Sequence, residues 1–314
     1  MTDEQEPRDH HYVPRLYLKG FTGDDGMMTV VNRKWGTIKR KSPRAVFFQR
    51  DYYRVEDGED GRPTAFEDAF AELENRAAPV LQRIIATGTL PSAESSEYAL
   101  LMNFVALQAM RGPHARRRLD EPRHAFEKLL EHQKQLQEAF GRPGDPPNPK
   151  VEALQRWVED EPTTRDHVEA LITAATAVLQ PLAERNWSLI RAGEGALFIT
   201  SDQPVSLRWS DPADEQGFYG PGFRVGGTDV TIPLSPDLLL FGRFESVPPS
   251  GTSLPRRKVA LVNTYSLVHA VRYAASQTED LVVLLNGEVR GTEDLASLWR
   301  ENPVSPEEDL DAKS

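Results

Sequence analysis

The sequence predicts an α+β fold, and three observations carry that prediction. Helical patterns follow one another through the middle of the chain, β-rich runs follow them, and the two are not interleaved as βαβ units would be. A short hairpin pattern precedes both. A helical part packed beside a mostly antiparallel sheet is the arrangement expected from that order.

The elements follow in chain order. Residues 1–9 are acidic and polar, with too little apolar surface to order them. From residue 10 the run HHYVPRLYLKGF is aromatic and branched, and TGDDG then makes a turn. MMTVVNRKWGTIKRK holds two alternating runs around residues 34–36, a β-hairpin. RAVFFQRDYYRV reads as an extended or mixed segment and DGEDGRP as a surface loop. Thr64 stands three residues before Glu67, the spacing of a capping box, and Phe66, Phe70, Leu73, Ala77 and Leu81 then recur at helical intervals. A second helix is expected over residues 94–111. A third covers residues 114–140, open to interruption at Pro122. GRPGDPPNPK, residues 141–150, is the clearest linker. One or two more helices end with residues 164–185. After Asn186 the runs WSLIRAG, ALFITSDQPVSL, DVTIPLS, LLLFGRF and LVVLLNG read as strands, with VALVNTYSLVHAVRYAASQ as one late helix before the last of them.

These elements are expected to form a single α+β domain over residues 10–300. Residues 10–62 form its N-terminal segment and hairpin, 63–186 its helical part and 187–300 its β-rich part. Residues 301–314 form a disordered acidic tail.

Composition narrows the function classes. Of 314 residues, 39% are hydrophobic and 27% charged, enough apolar mass for a sizeable core. No apolar run is long enough to span a bilayer and the start is not signal-like, so a cytoplasmic protein without membrane contact is expected. Cysteine is absent, which removes disulfides, thiol nucleophiles and cysteine metal sites. The net charge is −11, from 48 acidic and 37 basic residues, which disfavours nucleic acid as a partner. KRKSPR at residues 39–44 and RGPHARRR at 111–118 would have to form one basic face to reverse that, and Arg116, Arg117 and Arg118 are read as a solvated face. The composition leaves the number of subunits open.

His10 and His11 are two of only seven histidines. Adjacent residues on an extended chain point to opposite faces, so one is expected to face a site while the other packs. Histidine there suits metal ligation, general base work or phosphate contact. HHYVP has a partial likeness to the first motif of HNH nucleases, but that module needs a metal-binding histidine close behind, and none follows before His114. Glu67 and Glu74 lie two helical turns apart on one partly apolar face, where they can hold a divalent metal or pair with arginine. Arg111 closes an apolar helix and, if buried, needs a carboxylate such as Glu67, Glu74 or Asp202. Asp202 stands where an apolar run gives way to a loop, as a metal ligand, a general base or a turn cap. Asn263 can satisfy backbone groups between strands and helix. No phosphate-binding glycine loop, nucleophile elbow, HExxH or dinucleotide fingerprint is present.

Taken together, HHYVPRLYLKGF, DYY, FEDAFAELE, LQAMRGPHAR, FITSDQPV, PLSPDLLL and VNTYS resemble a widespread bacterial domain-of-unknown-function family with HHxVPxxYLxxF and SDxPV signatures. The resemblance covers roughly residues 10–276. It departs at Arg15 and Leu16, where that family often has Phe or Gln. Its polar motif residues fall on His10, His11, Tyr53, Glu67, Glu74, Arg111, Ser201, Asp202 and Asn263.

The expected function is a metal-assisted hydrolase acting on a phosphodiester or another anionic, small-molecule or phosphate-bearing substrate. His10, His11, Glu74 and Asp202 would be catalytic. His11, Glu67, Glu74 and Asp202 would hold a divalent metal, while Arg111, Tyr53, Ser201 and Asn263 would bind substrate. The alternative is a non-catalytic ligand- or protein-binding domain in which the same polar set is a buried structural network.

Overall fold

The computed structural model describes residues 8–55, 63–140, 149–160, 162–216 and 220–302. The expected disorder of residues 1–7 and 303–314, the loop at 56–62 and most of the linker at 141–148 lie outside the described residues. The fold is α+β, as the order of patterns predicts.

Strand β1 (Asp9–His11) pairs antiparallel with β4 (Phe48–Arg50), so the first ordered residues are tied to the end of the hairpin region. Pro14 leads into α1 (Arg15–Leu18), which tightens into a 3₁₀ turn at Lys19–Phe21. The hairpin forms as its alternation implies, with β2 (Met28–Asn32) against β3 (Thr37–Lys41). Helices follow: α2 (Ala65–Thr87), α3 (Ser96–Met110), α4 (Pro113–Phe140), α5 (Pro149–Glu159) and α6 (Thr164–Ala183). Helix α4 runs through Pro122 without a break, so the interruption left open there does not occur.

Five strands, β5 (Asn186–Ala192), β7 (Ser206–Trp209), β8 (Thr228–Ser235), β9 (Leu238–Arg243) and β10 (Ser253–Leu254), form one sheet in the order β10-β5-β9-β8-β7. It is antiparallel except where β10 meets β5. A second sheet runs β3-β2-β11-β6, with β6 at Thr200–Ser201 and β11 at Tyr273–Ser276. The N-terminal hairpin is thereby completed by strands from the far end of the chain. Strands β12 (Val283–Leu285) and β13 (Glu288–Arg290) form a hairpin, and α8 (Thr292–Glu301) follows.

Four details differ from the sequence reading. The late helix α7 (Arg256–Val268) stops earlier than expected, because Val271, Arg272 and Tyr273 give their N–H groups to the Asp202 carboxylate and continue as strand β11. Within residues 196–207 only the short β6 and the start of β7 pair as strands, since the SDQP turn separates them. Thr64 makes no side-chain cap at α2; the reciprocal capping box sits instead at α6, between Thr163 and Asp166. Helix α8 went unread, although Asp294 accepts the Gly291 N–H at 3.1 Å as a helix-start signal.

The main core joins the aromatic N-terminal run to both other parts. Tyr12, Phe21, Ile84, Phe104, Val230 and Ile232 belong to one buried cluster. Helix α3 is buried on nearly every side, including Leu101, Phe104 and Val105, which is why its apolar pattern shows no clean stripe. Tyr17 fixes α1 to the large sheet, its hydroxyl donating to the Pro233 carbonyl at 2.7 Å.

Asn263 links α7 to two passing chains. Its Oδ1 accepts the Ile199 N–H at 3.1 Å and its Nδ2 donates to the carbonyls of Leu197 at 2.9 Å and Val282 at 2.8 Å. Replacement by an apolar residue leaves three backbone groups without that partner, each worth about 1–3 kcal/mol when buried. Asn263→Leu is therefore expected to lower the urea midpoint by the equivalent of about 3 kcal/mol or more, with an unchanged m-value.

Candidate functional site

The paired histidines have separate surroundings. In β1, His10 points inward and is fully buried while His11 is half-buried. His10 Nδ1 accepts the Tyr53 N–H at 2.9 Å, and its ring stacks on that of Tyr53 at 6.0 Å and 7°. An accepting Nδ1 puts the proton of the neutral ring on Nε2. His11 Nε2 lies 3.2 Å from the Pro43 carbonyl, and so acts as donor there. Burial pushes its pKa down to about 4 against the pull of that carbonyl, with the charges of Arg15 and Arg111 adding to the depression. At neutral pH His11 carries no charge.

Arg111 follows the last residue of α3 and is only 2% exposed. Its donors end on protein groups from β1, from α2 and from the turn after β4. Nη1 bonds Glu74 Oε1, Nη2 donates to the His11 carbonyl at 2.5 Å, and Nε donates to the Tyr53 hydroxyl at 3.3 Å. The guanidinium also lies 5.6 Å from the Tyr53 ring centroid and 5.4 Å from that of Phe70. Burial opposes the charge, but Tyr53 and Glu74 more than offset it, and the pKa is raised. Burial raises the Tyr53 phenol as well, so at neutral pH Tyr53 contributes a dipole and Glu74 the countercharge.

Beside this network opens a cleft of about 230 Å³, lined in part by His11, Arg15, Lys19, Glu67, Glu74 and Arg111. Glu67 and Glu74 reach it from one face of α2, as their two-turn spacing requires. Glu74 is engaged by Arg111, whereas Glu67 Oε2 is buried and has no hydrogen-bond partner among the described residues. Burial raises the Glu67 pKa to about 7, Arg111 working against the rise and Glu74 adding to it. Arg15 and Lys19 are exposed, and neither makes a side-chain hydrogen bond or ion pair among the described residues. Sequence reasoning noted Arg15 only as a departure from the family pattern and passed over Lys19. Their i, i+4 spacing after Pro14 was the available signal.

The other expected site residues lie elsewhere. Asp202 is fully buried, and its carboxylate accepts three successive backbone N–H groups, including those of Val271 at 2.8 Å and Tyr273 at 3.2 Å. Burial raises its pKa to about 6 in spite of those bonds. Ser201 Oγ donates to the Ser266 carbonyl at 2.7 Å and accepts the Gln203 N–H at 3.1 Å. Asn263 is occupied as described above. None of the three lines the cleft. They hold the SDQP turn, α7 and β11 together. That turn meets the end of α3 at Gly112, where a Cβ would come within 2.6 Å of the Asp202 carbonyl oxygen.

No three His, Asp or Glu side chains are grouped for a metal among the described residues. In the cleft, His11 Nε2 is turned to Pro43, Glu74 is held by Arg111, and that buried guanidinium would repel a second cation.

Two stability measurements check this description. Arg111→Met strands the Glu74 carboxylate and the His11 carbonyl, and should cost about 3–5 kcal/mol in urea denaturation, while Arg111→Met with Glu74→Leu recovers much of the loss. Glu67 binds its proton more tightly folded than unfolded. Its stabilising contribution is therefore complete below about pH 4.5 and lost as the pH rises to about 7. In Glu67→Gln that part of the fall in stability should disappear, which denaturation midpoints from pH 4.5 to 8 would register.

No curated protein and no solved structure matches the chain. A family model described as protein of unknown function (DUF4238) matches residues 9–280, from β1 to the segment before β12, and the chain belongs to that family.

Proposed function

We propose that the protein is a binding domain for a small anionic ligand, which enters the cleft between α1 and α2. The observation that carries this reading is the division of labour among the charges. Arg111 spends its charge on closing the fold. Arg15 and Lys19, four residues apart on one turn, face the cleft without a protein partner among the described residues. A phosphate or carboxylate group would meet these two cations, and Glu67 in its protonated form would donate a hydrogen bond to the ligand.

A catalytic reading of the same cleft rests on Glu67. A carboxyl group whose pKa is about 7 exchanges protons readily near neutrality, as a general acid or base must. This chemistry asks for no metal. The metal-assisted phosphodiesterase suggested by the sequence has less support, because Asp202 and both ring nitrogens given above for the histidines face other partners. A nucleic-acid partner has less still. Arg111 is buried, Arg116 lies over the Tyr52 ring at 4.6 Å and Arg40 is paired with Asp25, so the two basic runs do not offer one continuous face. No described helix is long and apolar enough to cross a membrane.

Thermal unfolding with citrate and with pyrophosphate, against sodium chloride at matched ionic strength, tests the proposal. A ligand at 100 times its Kd stabilises the folded state by about 2.7 kcal/mol, so the melting temperature should rise with one or both anions. Arg15→Glu with Lys19→Glu should abolish the rise without unfolding the protein, since both side chains are exposed. No rise in the wild type, or an equal rise in the variant, would overturn the assignment. Turnover of a p-nitrophenyl phosphate diester that is lost in Glu67→Gln would select the catalytic reading.

A further inference from the structure

The cleft between α1 and α2 carries both signs of charge. Helix α2 presents Glu67, Ala71, Glu74 and Asn75 to it, at i, i+4, i+7 and i+8 along one face. Arg15, Leu16 and Lys19 come from α1 and the 3₁₀ turn that continues it. Two of the charges cancel within the wall, since Glu74 Oε1 is bonded to Nη1 of the buried Arg111. His11, held down to about 4, is neutral at pH 7. Of the charged side chains that line the cleft, Arg15, Lys19 and Glu67 are left to meet a ligand.

Two cations and one carboxyl group call for a ligand of the opposite pattern. An anion alone answers Arg15 and Lys19, but it meets Glu67 either as an acid with one hydrogen bond to give or as a repelling carboxylate. Glu67 Oε2 is buried and makes no hydrogen bond among the described residues, a state that costs free energy until a partner arrives. An ammonium group is the partner that satisfies an ionised carboxylate. Ala71 stands between the two glutamates and keeps the space clear, while Leu16 offers an apolar surface to a short carbon linker. At the density of liquid water, a volume of about 230 Å³ holds on the order of eight non-hydrogen atoms. A phosphate and an ammonium group joined by two carbons are of that size.

We propose that the ligand of this cleft is a small aminoalkyl phosphate, its phosphate held by Arg15 and Lys19 and its ammonium group by Glu67. The proposal rests on the anion-binding reading of the cleft given above and adds the cationic end of the ligand. A phosphate monoester is close to a dianion above about pH 7, matching two cations, and an alkylammonium keeps its charge to about pH 10. Besides Arg111 and Glu74, the charged and titratable groups around Glu67 are Asp68 and Tyr53, with His11, Arg15 and Lys19 elsewhere in the cleft. Burial, against the pull of Arg111 and with Glu74 adding to it, keeps the Glu67 proton in place up to about pH 7 in the empty site. The ammonium group displaces that proton to solvent. Affinity for an aminoalkyl phosphate therefore rises with pH up to about 7 and then levels off. An anion without the amine prefers the protonated carboxyl, so its affinity falls above the same pH.

Calorimetric titration of the full chain with O-phosphoethanolamine, ethyl phosphate and ethanolamine, at equal ionic strength, tests the proposal. At pH 8 phosphoethanolamine should bind about tenfold more tightly than ethyl phosphate, the value of one charge-assisted hydrogen bond. Ethanolamine alone should bind more weakly than either phosphate. The ratio of the two phosphates should narrow as the pH is lowered to 6, where Glu67 holds its proton. In Glu67→Gln the advantage of the amine should vanish while ethyl phosphate still binds. Ala71→Leu, at an exposed position of α2, changes no charge and should weaken both phosphates by filling the space between the walls. It keeps the test decisive should Glu67→Gln not fold. Equal affinity of the two phosphates at pH 8, or an advantage kept in Glu67→Gln, would overturn the ammonium contact and leave the anion site standing. No binding of either phosphate would overturn both.

Discussion

The N-terminal segment depends on one buried cation. The Arg111 guanidinium binds the main chain at His11, the carboxylate of Glu74 on α2 and the hydroxyl of Tyr53, while its own chain ends α3. A charge this deep is tolerated only where its donors are met, and the loss of one partner exposes the cost of burying the rest. Arg111 therefore sets the positions of β1 and of the residues after β4 relative to the two helices. His10 continues the same arrangement through the Tyr53 N–H. Arg111 and Glu74 also line the cleft beside it, so the same network fixes part of the cleft wall.

Much of this was legible in the sequence, and the reasons for the rest are physical. Residue types at fixed spacing gave the hairpin, helices α2 and α3, and the common face of Glu67 and Glu74. The requirement that a buried arginine find a carboxylate pointed to Glu74. The partners of Asp202 were not legible, because a carboxylate at the end of a strand looks the same whether it faces a ligand or three backbone N–H groups seventy residues on. That choice also decided where α7 stops, since the residues after it had helical periodicity but were drawn to Asp202. The partners of Ser201 and Asn263 are likewise main-chain atoms, which leave no mark in the sequence.

In the cleft, positive side chains lie next to carboxylates, Arg15 and Lys19 facing Glu67 and Glu74. The His114 and His269 rings stack with centroids 4.3 Å apart, and burial, with nearby arginines adding to it, holds both pKa values down. The basic run that looked like one feature in the sequence divides in the fold: Arg111 is buried in the network, Arg116 covers the Tyr52 ring, and the histidine between them, His114, stacks on His269. Arg111 ends α3, before α4 begins at Pro113, while His114 and Arg116, two residues apart on α4, leave it on different sides.

The pairing of β2 with β11 has a consequence for how the protein is made. Asn32 and Tyr273 face each other in the ladder, yet about three quarters of the chain lies between them. At about 5–20 residues per second of synthesis, the hairpin is on the order of ten seconds or more old before its neighbour exists. During that interval the edge of β2, with Val30 and Val31, has open main-chain groups and no cover from Ala274 and Ala275. The nascent chain therefore carries a ready template for mispairing, and its yield in the cell should depend on chaperone capacity more than the stability of the finished fold would suggest.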